Sequence, residues 1–598
     1  MPPVTRRALP TRWAFPAFAL FMLVLPLLPV PDFWITQSNY IGLYSLVALG
    51  LVLLTGVGGL TSFGQAAFVG VGAYTSAYLA TAHAVSPWIG LVVGVVLAVV
   101  VALVLGAITL RMSGHYLPLA TIAWGLALNY TMGNMGWLGK YDGLQGVPTI
   151  GLFGVDLGTG RGLHDLIWAV ALVAALAVIR LLDSRPGRAI RSLKSGSMMA
   201  EAMGISTFRY KLTAFVIAAV LAALSGWLFA HFQRSVNPTP FSIAKGIEYL
   251  FMAVLGGIGN VWGAFLGSAV VRIVEDQLQV LLPRLIGTSG NFEVIVFGIV
   301  LVVVLKYAPE GLWAFVGRLA PPARRVPDWH GPQGAAALPT RGKPARGELL
   351  LDVQAVRKQF GGLVAVNDVS FQIRAGDIVG LIGPNGAGKS TTFNLITGVL
   401  ALSGGGVAFR GEPVGGLPSR QIARRGISRT FQHVKLVPEM TVLENVALGG
   451  YLRSRAGTLR AMLRLDRAEE RALFAEAERQ LARIGMADKM HELAGNLALG
   501  PQRLVEIARA LATDPALLLL DEPAAGLRHK EKAALGDVLR QLKAEGLSIL
   551  LVEHDMDFVM GLTDRIVVME FGTRLMEGTP AEVQASPQVR AAYLGTEH

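Results

Sequence analysis

The sequence predicts a chain of two parts: an α-helical polytopic membrane domain with glycine-rich broken helices, followed by an α/β domain built around a phosphate-binding loop. Long apolar runs fill the chain up to about residue 317, whereas the sequence from about residue 347 onward has the composition of an ordinary soluble protein. In that second part, Gly383–Thr391 matches the pattern G-x-x-x-x-G-K-[ST]. At 598 residues, the chain is also too long to form a single core.

The apolar runs of the first part have membrane-spanning length. The first run, Trp13–Val30, follows a basic start and has no small-residue cleavage site, so we interpret it as an uncleaved membrane helix. Further runs lie at residues 39–57, 63–82, 87–110, 116–134, 163–182, 212–232 and 291–306. Residues 246–285, interrupted at Gly256–Asn260, contribute two crossings or none, and we expect about nine crossings in all.

A basic loop sets the predicted orientation. Arginine and lysine gather between residues 183 and 211 almost without acidic residues, which is typical of a cytoplasmic loop. Six crossings before this loop place the N-terminus on the same side of the membrane.

Two glycine-rich stretches of the membrane part resemble each other. Gly58–Gly70 and Gly256–Gly267 share a pair of glycines followed by a small-residue helix pattern. Such a pair indicates either repeated architecture around a translocation path or close helix packing by small residues. Neither stretch contains a charged residue that would determine the chemistry of a transported ligand.

Composition sets the domain boundaries and excludes several classes of function. Prolines mixed with Arg, Gly and Ala predict a semi-extended or disordered linker at 318–347, between a membrane domain (1–317) and a nucleotide-binding domain (348–598). The net charge of +12 is spread over loops, linker and helices, so we expect no nucleic-acid partner. The absence of cysteine excludes disulfides and cysteine metal sites.

The phosphate-binding loop predicts a nucleoside triphosphate site. An apolar run, 378–382, comes before the loop and a helical pattern follows it, so backbone amides and a helix N-terminus would surround the phosphates. Lys389 would contact the β- and γ-phosphates and Ser390 would bind Mg²⁺. The predicted binding residues are Gly383, Pro384, Asn385, Gly386, Ala387, Gly388, Lys389, Ser390 and Thr391.

Three later polar positions predict hydrolysis at this loop. Gln432 could contact Mg²⁺ and the attacking water. The run 517–520 predicts a buried strand that ends in Asp521, a Mg²⁺ ligand, and Glu522, which would polarise the water. A further strand, 548–553, ends at His554 and would place that side chain in the same crevice.

These residues carry a resemblance to the ATPases of ABC transporters over essentially the whole second part. The resemblance implies that Phe360 stacks on adenine, that Gln432 is the Q-loop glutamine and that His554 is the switch histidine. Residues 358–366, together with 577–580 and 592–595, look specifically like the branched-chain amino-acid importer ATPases. ATP and Mg²⁺ are the implied cofactors.

One motif departs from the family pattern. The signature L-S-G-G-Q, which meets the ATP bound by the opposing subunit, is represented by Leu497, Ala498, Leu499, Gly500, Pro501 and Gln502. Ala498 has no hydroxyl for the γ-phosphate, so we expect the composite site completed by this signature to be weakened. Proline is well tolerated in the first turn of the helix that follows.

The first part resembles the permease subunits of the same importers. Gly58–Phe68, Gly187–Arg191, Glu201–Ile205 and Pro309–Leu312 carry the similarity. It implies that Glu201, Ala202 and Gly204 belong to a loop that couples the permease to the ATPase; a solvated basic loop is the alternative.

The combined expectation is a permease–ATPase fusion that takes up branched-chain amino acids across the cytoplasmic membrane, with the ATPase in the cytoplasm. The resemblance implies three partners: a second permease, a second ATPase and an extracytoplasmic solute-binding protein. The alternatives are an importer of urea, short amides or aromatic acids, an exporter-type half transporter, and a membrane-anchored regulatory ATPase.

Overall fold

The computed structural model describes residues 14–112, 116–152, 154–158, 160–286, 296, 298–299, 302–303, 306–307, 311–319, 331 and 334–594. The chain divides into two compact units. The membrane unit comprises Met1–Leu182 and Phe208–Arg325, and the ATPase unit comprises Asp183–Thr207 and Val326–His598. Asp183–Thr207, here called the basic segment, therefore belongs to the second unit although it interrupts the first in sequence.

The membrane unit is mainly helical in its described residues. Its longer helices are Asp32–Leu51, Gln65–His83, Pro87–Thr109, Tyr116–Asn134, Gly160–Leu182, Thr207–Gln233, Ile243–Gly257 and Val261–Ile286. Asp32–Leu51 continues as a π-helical turn, Val52–Val57. Two-residue strands pair in the connections: Leu144–Gln145 with Ser235–Val236, and Gly151–Leu152 with Val155–Asp156.

Among the described residues, four helices are long and apolar enough to cross a membrane. They are Asp32–Val57, Pro87–Thr109, Gly160–Leu182 and Thr207–Gln233. The helix pair on either side of Ile258–Asn260 passes the same test as one broken element, bent by 118°. Most of the predicted span 291–306 lies outside the described residues. The number of about nine crossings therefore stays a prediction.

The N-terminal helix is shorter than predicted. The expected membrane helix Trp13–Val30 is instead a helix over Ala14–Val24 followed by one 3₁₀ turn, Leu25–Leu27. Proline explains the difference, because Pro26 lacks an N–H and its ring disfavours helical backbone at the preceding residue.

Glycines allow close backbone contact just before the first glycine-rich stretch and within the second. A Cβ at Gly56 would lie 1.4 Å from the carbonyl oxygen of Ile258, and one at Gly267 would lie 1.8 Å from that of Met252. Any larger residue would separate these backbones. Close packing thus accounts for these glycines without further assumption.

The ATPase unit contains two sheets in its described residues. The first has the strand order Ile427–Arg429, Leu517–Asp521, Ser548–Val552, Ile378–Ile382, Arg565–Glu570 and Thr573–Gly578, and only the last pair is antiparallel. The second is antiparallel, in the order Leu363–Arg374, Leu349–Phe360, Gly404–Phe409 and Glu412–Pro413. Parallel strands of the first sheet bring their carboxyl ends to one edge, where ligands bind in such folds.

Helices cover the first sheet and complete the unit. Those of eight residues or more are Arg185–Ser192, Lys389–Ile396, Val442–Gly449, Arg467–Arg483, Leu499–Leu511, His529–Ala544 and Pro587–Leu594. Shorter ones are Ser197–Ala202, Ser419–Arg425, Thr458–Met462, Met556–Met560 and Pro580–Ala585. The central strands Ile378–Ile382, Leu517–Asp521 and Ser548–Val552 are buried at every position, as expected for a parallel sheet covered on both faces.

The end of the predicted linker is attached to the ATPase unit. Residues 335–345 have no regular secondary structure. Leu338 is buried against Leu473, and the Arg341 amide donates to Asp514 Oδ2 at 2.5 Å. Residues 320–330 lie outside the described part of the chain.

Candidate functional site

The phosphate-binding loop lies between a buried strand and a helix, as predicted. Strand Ile378–Ile382 leads into it and helix Lys389–Ile396 leaves it. Gly383 and Gly388 have φ values of +151° and +95°, and a Cβ on them would lie 2.1 and 2.6 Å from the carbonyl oxygens of Met569 and Ala365. Only glycine fits these two positions, so the loop conformation is specified by its sequence.

The loop lysine is held by the loop itself. Lys389 Nζ donates to the carbonyl oxygens of Gly383 and Pro384 at 2.7 and 2.9 Å. Burial lowers the pKa of Lys389, and the carboxylate of Glu522 opposes that shift. Asn385, Gly386 and Ser390 are exposed, and a Cβ at Gly386 would meet nothing within 4 Å. The tip of the loop at Gly386 is thus open to its surroundings.

Two neighbouring carboxylates stand at the end of strand Leu517–Asp521. Burial raises the pKa of Asp521, and Arg429, with Nη2 3.8 Å from Oδ2, opposes the shift. Asp521 Oδ1 is buried without a hydrogen-bond partner, so a cation could bind it without displacing a protein contact. Glu522 has φ of +47°, a left-handed conformation that is unusual for a non-glycine residue and typical of functional positions.

One carboxylate oxygen brings three predicted residues together. Glu522 Oε2 accepts a hydrogen bond of 3.2 Å from Gln432 Nε2 and lies 3.8 Å from His554 Nδ1. The three side chains come from different parts of the chain and converge because their strands are adjacent in the sheet. This cluster has the chemistry to orient and polarise a water molecule.

The signature residues begin a helix. Ala498 is the N-cap of the signature helix Leu499–Leu511 and provides no side-chain hydrogen bond. Pro501 is the third residue of that helix, where its missing N–H has no intrahelical partner in any case. Gln502 Nε2 donates to the carbonyl oxygen of Leu497 at 2.8 Å and fixes the preceding turn. Ala498 and Leu499 are exposed.

Phe360 lies apart from these contacts, at the end of strand Leu349–Phe360. Its side chain is 46% exposed, and Lys358 Nζ lies 5.0 Å from the ring centre. An exposed aromatic ring next to a cation is suited to stacking with a planar ligand.

The basic segment packs on the ATPase helices within the same unit. Arg188 donates to both oxygens of Glu470, with Nη1–Oε2 and Nη2–Oε1 distances of 2.7 and 3.0 Å. The Arg185 guanidinium lies 3.8 Å from the ring centre of Tyr451 and donates to its carbonyl oxygen. These contacts are charge-assisted and largely buried, so they differ from the solvated loop considered as the alternative.

The three predicted coupling residues lie at the end of the short helix Ser197–Ala202. Gly204 has φ of +80°, and a Cβ there would lie 2.5 Å from the side chain of Leu452. Ala202 is buried, and Glu201 Oε1 accepts a hydrogen bond of 2.8 Å from the Thr207 hydroxyl. Gly204 therefore makes close contact with the ATPase part, and Glu201 stabilises the segment's own conformation.

Comparison with known proteins identifies the family. Residues 34–305 match the family model described as "Branched-chain amino acid transport system / permease component". Residues 366–525 match the family model "ABC transporter". Residues 573–598 match the family model "Branched-chain amino acid ATP-binding cassette transporter". The high-affinity branched-chain amino acid transport ATP-binding protein LivG of Salmonella typhimurium is 47% identical over 250 residues, which are 41% of this chain and 98% of LivG. The chain belongs to the branched-chain amino acid ABC transporter family.

Further relatives match the same part of this ABC transporter chain. The high-affinity branched-chain amino acid transport ATP-binding protein BraF of Pseudomonas aeruginosa is 41% identical over 249 residues, covering 41% of this chain and 98% of BraF. A crystal structure of a nucleotide-free ATP-binding cassette is 32% identical, with a TM-score of 0.37, over 41% of this chain and 99% of that one. The predicted fusion of a permease with a transport ATPase is confirmed.

Two further residues position the nucleotide site, and neither of them was assigned a role from the sequence. Glu553 is fully buried, and its oxygens accept hydrogen bonds from the Ala524 and His554 amides at 2.6 and 3.1 Å. Arg503 of the signature helix donates to the carbonyl oxygens of Phe431 and Gln432 at 2.8 and 2.5 Å. The sequence signal for Glu553 is a charged residue directly after an apolar strand, and that for Arg503 is a charged residue next to the signature.

Proposed function

We propose that this chain drives the uptake of leucine, isoleucine and valine, or similar small solutes, by hydrolysing ATP at the loop Gly383–Thr391. The observation that carries the proposal is the presence, in one chain, of a match to the branched-chain permease component and a match to the corresponding ATPase. LivG and BraF, whose names describe branched-chain amino acid transport, support the same solute class.

We assign the roles at the nucleotide site as follows. The loop amides and Lys389 bind the phosphates of ATP, and Phe360 stacks on adenine. Glu522 polarises the attacking water, and Gln432 orients that water. His554 contacts the carboxylate of Glu522 and the γ-phosphate of ATP. The convergence of Gln432 and His554 on Glu522 Oε2 supports these roles.

Magnesium fits the residues next to this cluster. Ser390, Gln432 and Asp521 would hold the ion, and the partnerless Oδ1 of Asp521 is the contact that the structure leaves available. When bound, Mg²⁺ neutralises charge on the phosphate oxygens.

The signature residues act on a second nucleotide, bound by a second ATPase subunit. The exposed Ala498 and Leu499 at a helix N-terminus are suited to a phosphate of that nucleotide. Because Ala498 offers no hydroxyl, the composite site it completes is the weaker of the two.

The working complex contains further components. A second permease completes the membrane path, and an extracytoplasmic solute-binding protein delivers the solute. The complex lies in the cytoplasmic membrane with the ATPase domain, residues 348–598, and the N-terminus in the cytoplasm. The basic segment transmits the closure of the ATPase dimer to the membrane domain, residues 1–317, and residues 318–347 connect the two domains.

Solute-stimulated ATP hydrolysis tests this proposal. The complex, in lipid nanodiscs with its binding protein, is assayed with leucine, isoleucine, valine, urea and benzoate. We expect stimulation by the three amino acids, and a loss of about 10²–10⁴-fold in Glu522→Gln. Glu412→Gln, a change at a side chain that is 70% exposed, is the matched control and should retain turnover.

The solute panel also separates the alternatives. Stimulation by urea or benzoate, with none by the aliphatic amino acids, would assign the chain to the other importer class. Stimulation that does not require the binding protein, together with outward transport, would identify an exporter. ATP hydrolysis that no solute affects would identify a regulatory ATPase.

A further inference from the structure

The membrane unit contains a cluster of four charged side chains. Lys245 Nζ lies 2.7 Å from Glu248 Oε1 and 3.7 Å from Glu275 Oε1, while Arg272 Nη1 lies 3.1 Å from Glu275 Oε2. All four residues belong to the bent helix pair around Ile258–Asn260. Placing a charged side chain in a membrane-spanning element costs free energy, so such residues usually mark functional positions.

These charged side chains border a cavity of about 620 Å³, a volume typical of small-molecule sites. Each of them is only 14–19% exposed, yet each contributes to the cavity wall. The remaining wall is largely apolar and includes Phe229, Ile247 and Phe251. Ile247 is 47% exposed, so the cavity presents apolar as well as charged surface.

Aromatic rings and a polar chain hold the two cations in place. Lys245 Nζ lies 4.6 Å from the ring centre of Tyr44, and the Arg272 guanidinium lies 4.5 Å from that of Tyr40. Arg272 Nε also donates to Gln37 Oε1 at 2.7 Å, and Gln37 Nε2 donates to Asp276 Oδ1 at 2.8 Å. The cluster is therefore preorganised before any ligand arrives.

We propose that this cavity binds an α-amino acid as a zwitterion. The ligand carboxylate contacts Lys245 and Arg272, and its ammonium group contacts Glu248 and Glu275. Its aliphatic side chain packs on the apolar wall formed by Phe229, Ile247 and Phe251. The inference rests on the proposed function and adds the place and the chemistry by which the membrane unit recognises the solute.

Charge balance favours a zwitterion over other small solutes. The four charged groups at the cavity wall comprise two cations and two carboxylates, already paired with each other. A ligand with one charge of each sign can exchange partners with one ion pair and leave no charge unpaired. Urea cannot replace either partner, and benzoate would leave a carboxylate of the protein unpaired in a partly buried site, which is costly.

Equilibrium binding of radiolabelled leucine to the complex in nanodiscs, without the binding protein, tests the inference. We expect Lys245→Gln and Glu275→Gln to weaken binding by at least tenfold each. The matched control is Asp32→Asn, because Asp32 pairs with Arg161 in the same unit, is 84% exposed and does not border the cavity. The control should bind leucine within twofold of the wild type.

A second measurement needs no variant: analogues of leucine compete with leucine for the wild-type site. This measurement tests the inference even if a variant fails to assemble. Leucinamide lacks the carboxylate and 4-methylpentanoate lacks the ammonium group, so each should compete for the wild-type site at least tenfold more weakly than leucine. Equal competition by either analogue, or wild-type affinity in both assembled variants, would overturn the inference.

A broader panel separates failure of the site from failure of the proposed function. If no branched-chain amino acid binds or stimulates hydrolysis, the proposed function is wrong. The zwitterion site then stands only if glutamine or phenylalanine binds the wild type and loses at least tenfold in both variants. Binding of urea or benzoate alone overturns both.

Discussion

Arg188 and Glu470 form a bidentate ion pair between the basic segment and the ATPase helix Arg467–Arg483. The guanidinium is 2% exposed and the carboxylate 13%, and the ring centre of Phe474 lies 5.0 Å from the guanidinium. Removal of one partner from a buried pair typically costs about 3–5 kcal/mol, because the other charge is left uncompensated. This pair is therefore one buried electrostatic attachment of the basic segment to the ATPase helices, and Arg191 with Glu444 forms another.

Glu470→Gln should weaken the link between solute and hydrolysis. The glutamine amide keeps one hydrogen bond to Arg188 but cannot neutralise the positive charge of its guanidinium. The basic segment should therefore detach more easily from the ATPase helices. We expect the ratio of solute-stimulated to basal ATP hydrolysis to fall at least threefold, measured in nanodiscs.

Glu439→Gln is the matched control for this variant. Glu439 pairs with Lys194 of the same segment at 3.2 Å, but the two side chains are 60% and 53% exposed. Exposed pairs contribute about 0–1 kcal/mol, so the control should keep its stimulation. Equal effects of both changes would show that burial of the pair is irrelevant.

Gly204→Ala should disturb the same attachment by steric contact. The new methyl group would lie 2.5 Å from Leu452, so either the side chain or the basic segment must move. We expect a loss of stimulated hydrolysis and a lower melting temperature.

Gly196→Ala separates steric contact from backbone strain. Gly196 lies in the same segment at φ of +121°, but a Cβ there meets nothing within 4 Å. Both substitutions strain the backbone, but only the methyl group at Gly204 would meet the side chain of Leu452. Similar loss of stimulation in the two variants would contradict our interpretation.

Ala498→Ser should raise the turnover of the complex. The hydroxyl supplies a hydrogen bond to the opposing γ-phosphate, worth about 1.5–3 kcal/mol when the acceptor is charged. The same hydroxyl would also cap the signature helix, but Pro501 removes one of the two usual donors, so the gain in helix stability should be small. Turnover is measured as the maximal rate of ATP hydrolysis.

Ala498→Gly tests whether the hydroxyl is responsible. Glycine is tolerated at an N-cap at a cost of a few tenths of a kcal/mol relative to the preferred residues, and it offers no hydroxyl. We expect turnover at or below the wild-type value. A gain equal to that of the serine variant would point to chain flexibility instead.

Asp521→Asn should stabilise the nucleotide-free chain, increasingly so as the pH rises. Burial raises the pKa of Asp521 above its ordinary value of 3.8, so the folded state favours the protonated acid. The contribution to stability is therefore present below pH 3.8 and lost as the pH rises through the raised pKa. Asparagine cannot ionise, and Arg429 keeps its hydrogen bonds to Asn394 and Thr397.

The size of this effect can be measured as a melting temperature. The measured quantity is the melting temperature of the variant minus that of the wild type. The difference between variant and wild type should be near zero at acidic pH and largest at pH 8, without Mg²⁺ or nucleotide. Asp537→Asn, at an exposed aspartate, should show no such trend. A variant that is less stable at pH 8 would contradict the assignment.

Local motifs made the nucleotide site predictable from the sequence. The phosphate-binding loop, Asp521 with Glu522, and His554 each follow a short apolar strand, so their placement depends on contiguous residues and on the rule that parallel strands end at one edge. The glycine spacing of Gly383 and Gly388 likewise specifies the loop backbone.

Contacts between distant residues were not predictable in the same way. Arg188 and Glu470 are 282 positions apart, and nothing local to either one selects the other. The charges at Lys245 and Glu275 are visible in the sequence as ionisable residues in an apolar region, but they lie outside the two glycine-rich stretches. The predicted N-terminal helix is longer than the helix in the structure, because Pro26 disfavours helical backbone at the residue before it.

The covalent continuity of the basic segment with its ATPase has a thermodynamic consequence. Two separate subunits would have to find each other at their cellular concentrations, and each contact would first have to offset the lost translational freedom. Here the segment and the helix that carries Glu470 belong to one polypeptide, so their effective concentration is set by chain length rather than by expression level. The membrane and ATPase parts are thus made in a fixed ratio of one to one, and a contact too weak to hold two free proteins together can still form within the chain.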